Sequence, residues 1–106
     1  MGVNYGWEKF FISLRIAVGS EASLQDRLAT VISGVTGLRH DDFPSDGEIW
    51  SRFRDLIETT TKLPALHKEG TIQATTSQMT NDEAAKLLRE ALGIFSDVAI
   101  AYGKSW

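Results

Sequence analysis

The chain holds two histidines, and each sits among carboxylates. His40 is followed by Asp41 and Asp42, and His67 stands two residues before Glu69. Together these residues offer imidazole nitrogens and carboxylate oxygens, a donor set that suits a divalent metal. The helical metal motifs H-E-x-x-H, E-x-x-H and E-x-x-E are absent, so no helix face presents a ready-made centre. Both histidines fall in stretches that read as solvated loops following the second and third helical segments. In an up-and-down bundle those loops lie at opposite poles, so one shared site would need an irregular topology. His40, Asp41, Asp42, His67 and Glu69 are the candidate metal or ligand residues. The competing reading is that they are surface loop residues near helix ends.

Other catalytic constellations fail on residue type or spacing. With no cysteine there is neither a thiolate nucleophile nor a zinc thiolate site, nor any disulfide. Walker A, G-x-G-x-x-G and G-x-S-x-G do not occur, and Gly34-Val35-Thr36-Gly37 is too short to cradle phosphate. A metal-independent RNase of the helical HEPN type needs an Arg four to six residues before a His. Arg39 is adjacent to His40, while Arg27 and Arg54 are too distant from His40 and His67. An all-α nucleotide pyrophosphohydrolase needs inward-facing carboxylates, but here the inward helical positions are Leu, Val, Phe and Ile. No catalytic or cofactor-binding residue is assigned, no cofactor is expected, and the expectation is a protein that is not an enzyme.

Charge narrows the partners. Eleven basic residues against fourteen acidic ones give a net charge of −3. The basic residues are scattered, the closest group being Arg52 and Arg54. Nucleic-acid binding rests on clustered Lys and Arg, so nucleic acid is a poor default partner. A helix-turn-helix reader would have to use the third segment, where Glu48, Asp55 and Glu58 offset Arg52, Arg54 and Lys62. No apolar run approaches the roughly 18 residues of a membrane span. The opening MGVNYGWEKFF has no basic stretch before its apolar run, so no secretory signal is expected. With no cysteine, the expected compartment is the cytoplasm.

Hydrophobic residues make up 42% of 106 residues, enough for one domain with its own core (1–106). The apolar spacing is helical throughout. In a first segment, about Asn4 to Val18 with Asn4 as cap, Trp7, Phe11, Leu14 and Val18 form one face, which Phe10 and Ala17 widen. Ile12 and Ile16 sit off that face, so this helix is apolar around most of its circumference. In a second, about Glu21 to Leu38 capped by Ser20 or Ser23, the stripe is Leu24, Leu28, Val31, Val35 and Leu38. A line of small residues, Ala29, Ser33 and Gly37, with Gly34 beside it, suits close helix packing or early fraying. A loop from His40 to Gly47 leads to a third segment, about Gly47 to Leu63, capped by Ser45 or Asp46. Its stripe is Ile49, Phe53, Leu56, Thr60 and Leu63, with Glu48 and Arg52 as an i,i+4 pair on the wet side. Ile72, Thr76 and Met79 allow a short helix near 71–78. The last segment opens on a capping box, Thr80-x-x-Glu83, and carries Ala84, Leu88, Ala91, Phe95, Val98 and Tyr102 on one face. Lys86, Glu90, Gly93 and Asp97 read as its exposed face and Gly103 as its terminator. The fold class is all-α, an antiparallel four-helix bundle-like domain with a short fifth helix near 71–78.

Trp7, Phe10, Phe11, Trp50, Phe53 and Phe95 read as core. Trp106 lies beyond the last helix, where it either folds back or presents a hydrophobic tip to a partner. The sequence also resembles small stand-alone bacterial all-helical proteins without an assigned activity, some carried on mobile elements. The likeness lies in Trp7-Glu8-Lys9-Phe10, Ser23 to Leu28, Asp41-Asp42-Phe43-Pro44, Glu69 to Ile72 and Met79 to Ala84. It implies a helical fold and transfers no functional residue. Three readings remain. The leading one is a cytoplasmic interaction or regulatory module that self-associates as a dimer through the first helix, with Ile12, Ile16 and Trp106 as interface residues. The others are a small ligand- or metal-binding protein or enzyme using the His40 and His67 loops, and an antitoxin-like or mobile-element accessory protein.

Overall fold

A computed structural model of the chain describes residues 2–65 and 70–104. Among them are five α-helices and no strand: α1 (Val3–Val18), α2 (Leu24–Val35), α3 (Glu48–Thr61), α4 (Gly70–Thr76) and α5 (Asn81–Lys104). A single 3-10 turn, His40–Asp42, sits between α2 and α3. The all-α expectation holds, and α4 is the short fifth helix. His67, Glu69 and Trp106 lie outside the described residues. No described helix is long and apolar enough to cross a membrane.

The helix ends show which local signals won. The backbone N–H of Glu83 donates to Thr80 Oγ1 at 3.1 Å, and that of Thr80 donates to Glu83 Oε1 at 3.0 Å. These reciprocal bonds satisfy N–H groups that the first turn of α5 leaves free, as the T-x-x-E pattern predicts. They also hold the Glu83 carboxyl below the usual carboxylate range. Ser23 Oγ accepts the Asp26 N–H at 3.1 Å and starts α2. Asp46 Oδ1 accepts the Glu48 N–H at 3.1 Å beside Gly47, whose φ of +85° turns the chain into α3. Asn4 does not cap α1. The helix begins at Val3 with Gly2 as cap, where Asp42 Oδ1 accepts the Gly2 N–H at 3.0 Å and holds the chain two residues earlier than the expected cap. α5 runs through Gly103 to Lys104 rather than ending at Gly103.

α1 packs chiefly on α2 and α5, α3 on α5 and α4, and α4 also on α2. The core contains Phe10, Leu28, Val31, Ile32, Val35, Phe53, Leu56, Ala84, Ala91, Ile94 and Val98. The expected stripes of α2 and α3 therefore face inward at most positions. Phe43, from the loop, is also buried. Its ring centroid lies 4.7 Å from that of Phe53 and 6.4 Å, edge-on, from that of Phe10. Gln25 Nε2 donates to Met79 O at 2.9 Å and to Asn81 Oδ1 at 3.0 Å, tying the start of α2 to the start of α5.

One stripe is displaced. α1 buries Gly6, Phe10, Ser13 and Ala17, so of the expected face Phe10 and Ala17 lie inside, Trp7 and Leu14 are half-buried against the core, and Phe11 and Val18 are exposed. The reason is steric. Gly6 lies against the carbonyl of Asp42, and Ser13 against Gly34 of α2, both closer than any Cβ on the glycine permits. Small side chains let helix axes approach, and the interior gains contacts from that approach.

Candidate functional site

Because α1 gives its buried stripe mostly to small residues, its large apolar side chains point sideways and outward. Seven large hydrophobic residues are exposed among the described ones, and four of them lie on α1: Phe11 (40%), Ile12 (45%), Ile16 (57%) and Val18 (81%). A fifth, Leu92 on α5 (55%), faces α1 across a shallow groove. The groove, of about 220 Å³, is lined by Leu14, Val18, Leu24, Leu88 and Leu92, with Arg27 and Arg89 at its edge. Ile12 and Ile16 do not line this groove but stand on the outer face of α1; exposed apolar surface of this extent marks an interaction site.

The α1–α5 seam is built of aromatic rings. Trp7 stacks on Phe11 with centroids 5.1 Å apart and planes 6° from parallel. Trp7 also meets Tyr102 at 5.5 Å and Phe95 at 6.4 Å. These aromatic contacts fix α1 in place, so its outer face is held ready without reordering. Phe11, expected in the core, instead straddles the seam and the surface. Ile12 and Ile16, placed outside the main stripe by their spacing, are indeed exposed. Glu8 and Arg15 are exposed on the same outer face of α1.

The residues with metal-ligand chemistry are arranged differently. His40 is exposed and meets the Trp50 ring edge-on at 5.4 Å. Asp42 is 2% exposed and serves the fold: Oδ1 accepts from Gly2 N–H, and Oδ2 accepts from Arg39 N–H at 2.9 Å. Burial pushes its carboxyl up, hydrogen bonds from the Arg39 and Gly2 N–H groups pull it down, and the net shift is downward. Asp41 is exposed beside it. Among the described residues no group of three or more His, Cys, Asp or Glu side chains could hold a metal ion.

Arg52 is a residue whose role sequence reasoning misplaced. It turns from the expected solvated face of α3 to bridge α5, with Nε 3.2 Å from Glu90 Oε1 and Nη1 2.6 Å from Asp97 Oδ2. Asp97 foremost, then Glu90, raises its already high pKa against the opposing effect of burial. The supposedly free face of α5 is thus partly covered. The α1 surface was legible through Ile12 and Ile16, while Val18 and Leu92 were missed. The signal for them was the helical line of small residues Gly6, Ser13 and Ala17, which competes with the aromatic line for the core.

The chain matches no protein-family model, no curated protein and no solved structure.

Proposed function

We propose that this protein is a helical interaction module, acting by binding rather than catalysis, that self-associates through the outer face of α1. The observation that carries the reading is the exposure of Ile12 and Ile16 on a helix whose opposite side packs on α5 through Trp7 and Phe11. Removing a large aliphatic side chain from water contributes about 1.5–3 kcal/mol when burial is complete. A symmetric dimer counts each contact twice, so one small patch yields a sizeable gain. The engagement of Asp42 with backbone N–H groups supports a structural role for the 3-10 turn. The seam aromatics support a preformed surface.

The test is the oligomeric state of the full chain by light scattering at micromolar concentrations. The wild type is expected to be a dimer. The Ile12→Glu/Ile16→Glu variant is expected to be a monomer with unchanged helical circular dichroism, since neither side chain contributes to the buried core. A monomeric wild type at about 100 µM, weaker than useful self-association by affinity arithmetic, would overturn the reading.

A further inference from the structure

We propose that two copies of the chain pair through α1 in antiparallel orientation, about a twofold axis passing between the levels of Phe11 and Ile12, so that Glu8 of each copy faces Arg15 of the other. This rests on the self-association reading above and specifies its partner and register. Glu8 and Arg15 are seven residues apart, two helical turns, and so share one face of α1. Both are exposed, and neither has an ion-pair partner within the chain among the described residues. At about 1.5 Å per residue each lies about 5 Å from the midpoint between Phe11 and Ile12 along the axis, on opposite sides of it. An antiparallel twofold therefore sets Glu8 level with the opposite Arg15 at both ends of the contact. A parallel, in-register pair sets Glu8 level with Glu8 and Arg15 level with Arg15, placing like charges together.

The apolar side chains beside this charged line complete the match. Ile12 sits next to the twofold level, and Ile16 flanks it on the next turn. Phe11 lies at the same level on the other side of the Glu8–Arg15 line, continuous with the Trp7 seam. The aliphatic residues supply affinity, and the charges supply orientation, which is what exposed charges do best at interfaces. Lys9, on the neighbouring position, is engaged over the Tyr5 ring at 5.4 Å and leaves the Glu8–Arg15 register unopposed.

The experiment is a charge-swap series on the full chain at low salt, read as the dimer dissociation constant by sedimentation. Glu8→Arg alone and Arg15→Glu alone are each expected to weaken the dimer by on the order of tenfold, because each creates two like-charge contacts. Glu8→Arg/Arg15→Glu together is expected to restore wild-type affinity. Because the chain has no cysteine, a second measurement is open. Mixing the Glu8→Cys protein with the Arg15→Cys protein under oxidation should give the cross-linked heterodimer, while Glu8→Cys alone should not cross-link to itself. A dimeric wild type with no rescue by the double swap, or with efficient Glu8→Cys self-cross-linking, would overturn the antiparallel register and leave self-association standing. A monomeric wild type would overturn both.

Discussion

Ser13 of α1 occupies the space that a side chain on Gly34 of α2 would need. A Cβ built on Gly34 would overlap the Ser13 hydroxyl and lie 2.9 Å from Ser13 Cβ, closer than nonbonded carbons come. The hydroxyl can rotate away, but the Cβ is fixed to the backbone of α1. The distance between α1 and α2 is therefore set at this pair, and the choice of which face α1 buries follows from it.

Gly34→Ala tests that statement. Alanine gains about 1 kcal/mol of helix propensity over glycine. Forcing the two helices apart costs about 1–3 kcal/mol. The expected result is a net loss of stability, read as a lower midpoint in urea with an unchanged slope. Ser13→Gly/Gly34→Ala should recover most of the loss beyond the sum of the single effects, the signature of direct contact in a double-mutant cycle. A stabilised Gly34→Ala single variant would show that propensity, not packing, governs this position.

This pair also explains what could be read from the sequence and what could not. The stripes of α2 and α3 and the capping box of α5 were legible because each is decided within one or two turns. Of the small residues on α2, Gly34 makes the close approach to α1, while Ser33 and Gly37 are exposed and α2 ends at Val35, so the small line alone did not say which face of α1 would be met. On α1 two stripes one residue apart competed, and hydrophobicity favoured Trp7, Phe11, Leu14 and Val18. Close approach favoured Gly6, Phe10, Ser13 and Ala17, and close approach prevailed. Phe43 and Arg52 escaped for a different reason: their partners, Phe10 and Phe53 for one and Glu90 and Asp97 for the other, are distant in sequence. The outward position of Ile12 and Ile16 was legible because it follows from either stripe.

Asp42 ties the start of α1 to the 3-10 turn, and its removal should loosen both. Asp42→Asn keeps one acceptor oxygen and leaves the other N–H facing an amide, at a cost of about 1–3 kcal/mol near neutral pH. The folded-state pKa of Asp42 is depressed, so its contribution is complete above the unfolded value of about 3.9. It is lost as pH falls from there through the folded value. The stability gap between wild type and Asp42→Asn should therefore be constant from pH 7 to about 5 and narrow below about 4. A gap that persists undiminished at pH 2 would show that the carboxylate charge is not what holds Gly2 and Arg39.

Arg52 joins α3 to α5 through two carboxylates that remain partly in solvent. Screening limits such a bridge to about 0–1 kcal/mol, even with two partners. Arg52→Met, which keeps the aliphatic stem, is expected to lower stability by roughly 0.5–1 kcal/mol in low salt. The difference should shrink toward zero in 1 M salt, where the screening length is about 3 Å. If the loss is the same at both salt concentrations, packing of the guanidinium, whose Nη2 lies over Gly93, rather than charge pairing accounts for the effect of this residue.

Thr76 Oγ1 is fully buried without a hydrogen-bond partner among the described residues. A helical threonine commonly donates to the carbonyl three or four residues back, as Thr75 does to Thr71 O at 2.7 Å. Thr76 does not, and its hydroxyl has lost water without replacement. Desolvating such a group costs about 1–3 kcal/mol. Thr76→Val keeps the shape and the β-branch while removing the oxygen. It is expected to stabilise the fold by about 1 kcal/mol, raising the melting temperature by roughly 4–8 °C for a chain of this size. A destabilised Thr76→Val protein would show that the hydroxyl is hydrogen-bonded in solution.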